Sequence, residues 1–173
     1  MPQPNAAAVQ DPKEEQAMAV AATIQAYLDS HGVAYRIIEH PRTDNLKQAA
    51  QAAHIPPEQL ARPVLLGDDI NYLLAVIPAN HRLDLDRLNQ VMARSLELVD
   101  GEELELTFRD CEKGAIPPVG EAYGVDTVLD ASLSHQEHVY FEAGDHKHLI
   151  HMSGEDFRRL MEHVPRVQVS HHL

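Results

Sequence analysis

Val64-Leu65-Leu66-Gly67-Asp68-Asp69-Ile70-Asn71-Tyr72-Leu73-Leu74-Ala75-Val76-Ile77 reads as two strands, residues 64–66 and 72–77, joined by a tight turn at Gly67-Asp68-Asp69. Both runs are almost continuously apolar, which implies a sheet covered on its two faces. Such a hairpin needs layers of structure above and below it, and the flanking sequence supplies them.

Upstream, Arg62 ends the segment 58–61 and enters the hairpin, with Pro63 beside it favouring a strand start. Pro56 and Pro57 break the chain and restart it through Glu58 to Leu60. Before them lies a helix over 45–53, for which Thr43 or Asp44 is the expected cap. Residues 35–39 read as a short strand, and Pro41 pushes His40 towards an extended conformation. Met18, Ala21, Ile24, Tyr27 and Leu28 recur at three- and four-residue spacing, predicting a helix over 14–30 that stops near Gly32. Residues 1–13 have no periodic apolar face and are expected to form a flexible tail before one domain over 14–170.

Downstream, Asp84 precedes Leu85, Leu88, Val91 and Met92, the pattern of a capped amphipathic helix. A second, acidic helix is expected over 100–108. Residues 127–129, 139–143 and 148–152 are strand candidates, and Ser153 caps a helix carrying Phe157, Leu160 and Met161. No repeat or linker divides this order. The fold class is α/β: a single domain with a strongly curved mixed β-sheet or barrel surrounded by helices.

Composition narrows the function. The 173 residues are 44% hydrophobic and 24% charged, and 14 Lys plus Arg against 27 Asp plus Glu leave a formal charge of −13. That balance argues against a general electrostatic grip on DNA or RNA. Any contact with nucleic acid must be local. The acidic excess, as at Glu14, Glu15, Asp84, Asp86, Glu102, Glu103 and Glu155, reads as solvated surface. One cysteine, Cys111, permits no internal disulfide and suits a reducing compartment. With no signal pattern and no bilayer-length apolar run, the expected location is cytoplasmic and no membrane partner is expected.

Gly114-Ala115-Ile116-Pro117-Pro118-Val119-Gly120 fits neither helix nor regular strand. Its glycines leave N–H groups accessible and its prolines hold one shape, so it can present donors to a carbonyl or oxyanion; it can equally be a rigid turn. The Arg62 guanidinium can bind phosphate or carboxylate in a cleft, or simply be solvated at an element boundary. His135, His138, His146, His148 and His151 invite a metal reading. Their spacing does not build a zinc site, so neither metal nor other cofactor is expected. His171 and His172 read as a frayed terminus, and Cys111 as a small buried thiol. There is no Gly-x-Ser-x-Gly elbow, P-loop or dinucleotide fingerprint.

Taken in order, His40-Pro41, Ala61-Arg62, Leu74 to Pro78 with Arg82-Leu83-Asp84, Asp110 to Gly120, Asp130, and Glu142-Ala143-Gly144-Asp145-His146 resemble the YbaK-like, prolyl-tRNA-synthetase-associated editing domains over about residues 20–165. That resemblance implies a barrel-like mixed sheet wrapped by helices and a pocket that hydrolyses the ester of a mischarged tRNA. Gly114, Pro118 and Gly120 match the family's glycine-proline loop, and Arg62 stands where the family has a lysine. His146 is similar to a position near the pocket. The implied catalytic residues are Arg62, Gly114 and His146, with substrate held by His40, Ala115, Ile116, Pro117, Pro118 and Gly120. The implied partners are the 3′ end of an aminoacyl-tRNA and an aminoacyl-tRNA synthetase. Because a guanidinium does not place its donors as an ammonium does, a binding or regulatory module that has lost hydrolysis, and recognises an amino acid, nucleotide or protein, stands as the alternative.

Overall fold

A computed structural model describes residues 20–173. The tail expected at 1–13 and the start of the helix expected from Glu14 lie outside the described residues. In chain order the elements are α1 (Ala22–Ser30), β1 (Arg36–Glu39), α2 (Leu46–Ala52), β2 (Ala61–Gly67), β3 (Tyr72–Pro78), β4 (His81–Leu83), α3 (Leu85–Met92), β5 (Glu97–Leu98), α4 (Gly101–Thr107), β6 (Asp126–Asp130), β7 (His138–Glu142), β8 (His148–Ser153), α5 (Gly154–Leu160), β9 (Arg166–Val167) and β10 (Ser170–His172).

The expected hairpin is the antiparallel pair β2–β3, in register from Ala61↔Pro78 to Gly67↔Tyr72. Its turn is Asp68 to Asn71, shifted from the Gly67 to Asp69 expectation. Asp68 Oδ1 accepts the Ile70 and Asn71 N–H groups, and Arg94 donates to both Asp68 oxygens at 2.7 and 2.8 Å. This clamp holds the Asp68 carboxyl well below the usual carboxylate range.

The Leu65 carbonyl points away from β3 and accepts the Val99 N–H. Leu65↔Leu74 is therefore a non-hydrogen-bonded pair, and so by alternation are Pro63↔Val76 and Ala61↔Pro78. Neither proline removes a ladder bond, which is why the hairpin tolerates both.

Strand order in the larger sheet is β5-β2-β3-β6-β9, with β6 parallel to β3 and β9 parallel to β6. A second, antiparallel sheet has the order β1-β8-β7. The two sheets touch through a parallel bridge between Leu60 and Tyr140 and share a core instead of closing into one ladder. That core joins Ala61, Leu65, Leu74, Val76 and Leu129 of the large sheet to Val139, Phe141, Ile150 and Met152 of the small one. Ile24 and Leu28 of α1 and Phe157 and Leu160 of α5 complete it. On the opposite face of the large sheet Leu66, Ala75, Ile77 and Val128 pack with Leu88 of α3.

Local signals hold at several helix starts. The Asp84 and Ser153 side chains accept the Arg87 and Asp156 N–H groups, capping α3 and α5. For α2 the cap is Asn45, which accepts the Gln48 N–H at 2.9 Å, and not Thr43 or Asp44. The C-terminus departs from expectation more sharply. His171 and His172 are not frayed but paired in β10, which runs antiparallel to β4. Their anchor is Asp130, wholly buried, whose carboxylate accepts Val169 N–H at 3.1 Å and Ser170 O–H at 2.7 Å.

The Gly114–Gly120 loop lies mostly in the interior, with Ile116 and Val119 in the main core. At Gly120 an added Cβ would collide with Thr127 Oγ1 and sit 2.7 Å from the Val125 carbonyl oxygen. We expect Gly120→Ala to lose about 2–3 kcal/mol in urea unfolding, the cost of overpacking a filled core; an unchanged midpoint would contradict this packing.

Candidate functional site

A cavity of about 360 Å³ opens along the outer edge of β2. Strand β5 covers only Leu66 and Gly67 of that edge, so residues 62–65 face the hollow. Its remaining walls are Asp44 to Leu46 at the start of α2, Leu98, Val99 and Leu104 around α4, Leu74 behind, and Gly114 with Ile116 opposite. The lining is chiefly aliphatic. Besides Asp44, a second carboxyl residue, Glu142 at the end of β7, also lines it.

The sequence-derived residues divide. Arg62, Gly114 and Ile116 line the same cavity. Ala115, Pro117, Pro118 and Gly120 are buried behind the wall that Gly114 and Ile116 form. Among the described residues the N–H groups of Gly114 and Ile116 have no intramolecular acceptor, whereas the Ala115 N–H is spent on the Glu112 carbonyl at 3.0 Å. Gly114 has φ +82°, a conformation that keeps this corner for glycine.

His146 lies beside the wall. Its Nε2 is 2.6 Å from the Lys113 carbonyl oxygen; a carbonyl can only accept, so Nε2 carries the proton and Nδ1 of the neutral ring is bare. The His146 N–H donates to Glu112 Oε2 at 3.2 Å, and the Glu112 N–H to the Gly144 carbonyl at 2.8 Å. Residues 112–114 and 144–146 are thus tied together by three bonds. At Gly144, with φ +116°, an added Cβ would fall 2.7 Å from Ala21 Cβ, so only glycine lets this turn approach α1. His40 does not line the cavity. It is buried, with Nδ1 2.7 Å from the Pro41 carbonyl oxygen and its N–H on the Lys147 carbonyl.

Arg62 sits at the cavity edge, but its side chain follows the other face of β2. It pairs with Ile77, and alternation puts it with Val64 and Leu66. Its Nη2 donates to the His81 carbonyl at 2.8 Å; burial pulls its pKa below the ordinary guanidinium value.

Cys111 is half-buried, with Sγ 3.3 Å from the Tyr123 hydroxyl. Burial pushes its thiol up to about 12, which leaves almost no thiolate at neutral pH.

Sequence reasoning missed Glu142. Its side chain is among the most enclosed charged groups, 3% exposed, and neither carboxyl oxygen has a hydrogen-bond partner. His146 Nδ1 stands 3.8 Å from Oε2, beyond bonding distance and with no proton to give when neutral. Burial, followed by the nearby charges of Asp145 and Glu112, pushes the Glu142 carboxyl up to about 8. The one available signal was an acidic residue inside the apolar run Val139-Tyr140-Phe141-Glu142-Ala143.

The family model for the aminoacyl-tRNA editing domain matches residues 40–160, which include every wall of this cavity. The chain belongs to the aminoacyl-tRNA editing domain family. No curated protein matches it significantly in sequence. The editing domain is similar in fold to a scaffold protein used for computational epitope grafting, with TM-score 0.76, 21% identity, and coverage of 88% of this chain and 97% of that one. It is equally similar to a protein provisionally named a trans-editing enzyme for prolyl tRNA synthetase, with TM-score 0.76, 21% identity, and coverage of 87% and 96%. A provisionally named signal transduction protein from Marinobacter aquaeolei VT8 matches at TM-score 0.68 and 25% identity over 86% of this chain. The chain spans 30% of that protein's length. Among the described residues no helix is long and apolar enough to cross a membrane.

The Glu142 carboxyl makes the domain's stability depend on pH. The folded state keeps a proton that the unfolded chain, with its carboxyl near 4.5, gives up. The contribution of this one group is therefore full below about pH 4.5, falls as pH rises, and levels off above about 8. We expect Glu142→Gln to gain on the wild type by about 3–5 kcal/mol between pH 5 and pH 9. Denaturant unfolding of the two proteins across that range measures the gain; parallel pH profiles would mean that the carboxyl is solvated.

Proposed function

We propose that this editing domain is an aminoacyl-tRNA deacylase, acting in trans on the ester of a mischarged tRNA. The observation that carries the reading is the aliphatic cavity lined by Gly114 and Ile116, whose N–H groups have no acceptor of their own among the described residues. An aminoacyl side chain fits against Leu65, Leu74, Val99 and Leu104. Its ester carbonyl then approaches the two donors, which are fixed before the reaction and favour the negative charge that develops as water attacks. The attacking water adds its oxygen to the carbonyl carbon and loses a proton to solvent. The tetrahedral adduct collapses by breaking the ester C–O bond, the departing tRNA oxygen taking a proton from solvent, to release the free amino acid and the tRNA hydroxyl. No covalent intermediate with the protein is required.

His146 acts here through the loop, since its ring holds the Lys113 carbonyl and so the Gly114 corner. The tRNA contact is local. Lys113 and Lys147 are exposed on segments tied to one another around Glu112 and His146, beside Arg42, which is paired with Glu112, giving a small basic patch near the cavity on an otherwise acidic protein. Such a patch suits the phosphates of a single-stranded 3′ end. A synthetase partner and a cytoplasmic setting accord with this activity.

One observation favours the second reading, a binding module without turnover. The Arg62 guanidinium is bonded to the His81 carbonyl on the far face of β2, so the cation that would help stabilise an anionic transition state is directed elsewhere.

A deacylation assay against a panel of mischarged tRNAs decides between them. The deacylase reading expects release of the amino acid from at least one. It also expects Gly114→Ala, which strains the backbone at φ +82°, to lower kcat/KM by about 100-fold, as when an oxyanion donor is displaced. An intact panel would instead support the binding module; a Gly114→Ala rate equal to wild type would remove the loop from the mechanism.

A further inference from the structure

Glu142 is a buried acid for which the deacylation scheme has no use. A carboxyl that lines a cavity, is 3% exposed and lacks any partner on either oxygen carries a desolvation cost that a filled apolar core would avoid. The charged groups around it do not relieve that cost. Asp145 follows it on its own connection and Glu112 faces it across the tied segments, both acidic. His146 Nδ1 stands 3.8 Å away, beyond hydrogen-bond reach. Arg42, the basic residue nearest in the network, is engaged by Glu112 at 3.1 Å. Arg62 and Asp44 line the same hollow, Arg62 with its Nη2 committed to the His81 carbonyl. The environment is acidic and short of a donor, and Glu142 forms part of the wall of the hollow, its two oxygens themselves covered. A cationic donor of small size complements it.

We infer that Glu142 receives the α-ammonium group of the aminoacyl moiety, so that the site takes amino acids with a free amine and an aliphatic side chain and rejects N-blocked ones. The inference rests on the reading of the cavity as an aminoacyl site. In the pairing, Glu142 gives its proton to solvent and the carboxylate accepts N–H bonds from the ammonium. A raised Glu142 pKa adds a signature. Below about pH 8 the pair forms only with release of that proton, so affinity rises with pH. Above the ordinary α-amino value, about 7.7–8.0, the ligand loses its own proton and affinity falls.

The test uses amide-linked, non-hydrolysable alanyl, valyl and leucyl derivatives of 3′-amino-3′-deoxyadenosine, each also in N-acetylated form, with binding to the full chain measured by calorimetry from pH 6 to 9. The wild type should prefer at least one free-amine probe over its acetylated form by about 10- to 100-fold near pH 8, the range for a hydrogen-bonded charge pair. That preference should grow from pH 6 to 8, while the acetylated form shows no such rise. Glu142→Gln should bind the two forms within about twofold, the charge partner being lost. Equal binding of the two forms by wild type, binding of neither, or a preference that survives in Glu142→Gln overturns the inference. The wild-type pH profile tests it independently of whether the variant folds. Amine-selective binding with no turnover of the matching esters keeps the inference and removes deacylation; turnover without amine selectivity does the reverse.

Discussion

The site depends on the unequal cover of β2's two edges. Towards β3 the strand is paired along its whole length, while on the other side β5 reaches only Leu66 and Gly67. A sheet edge left open inside a protein must be covered by something other than another strand. Here the cover is a loop and two short helices that cannot pack flush against it, and the gap between them is the cavity. Pro63 belongs to the same arrangement, because it faces the open side at a position where no ladder N–H is required.

The Gly114 corner is held from behind by the ties between residues 112–114 and 144–146. Those bonds engage the N–H groups of Glu112 and His146 and the His146 ring, and they bring Asp145, Glu112 and Glu142 into one region, while the Arg62 guanidinium at the cavity edge is bonded to the His81 carbonyl. Packing fixes the shape of the hollow, and the concentration of acids fixes its preference in charge. Under the proposed reading both properties suit the amino-acid end of a ligand, and the exposed basic side chains Arg42, Lys113 and Lys147 lie outside the cavity wall.

Much of the fold was legible because its signals are local. The apolar runs at 64–66 and 72–77 gave the hairpin, Asp84 and Ser153 gave two helix starts, and the Pro and Gly residues marked the loop. Strands β4, β5, β9 and β10 left no trace, since two or three residues have no readable period and their pairing is decided by distant partners such as Asp130. Of the residues expected from residue type and from the resemblance, Arg62, Gly114 and Ile116 line the cavity. The direction of the Arg62 side chain was not legible, because it depends on strand register, where alternation sends neighbouring side chains to opposite faces. Glu142 was hidden for a different reason: glutamate is seldom fully buried, and only the tertiary arrangement encloses this one.

The account stands or falls on what occupies the hollow beside β2. A crystal structure of the domain with a bound amide-linked aminoacyl-adenosine analogue tests that most directly. It should show the aminoacyl group between Leu65 and Ile116, its carbonyl oxygen within hydrogen-bond reach of the Gly114 or Ile116 N–H. Electron density for the ligand elsewhere on the protein, with this cavity holding only solvent, would contradict it.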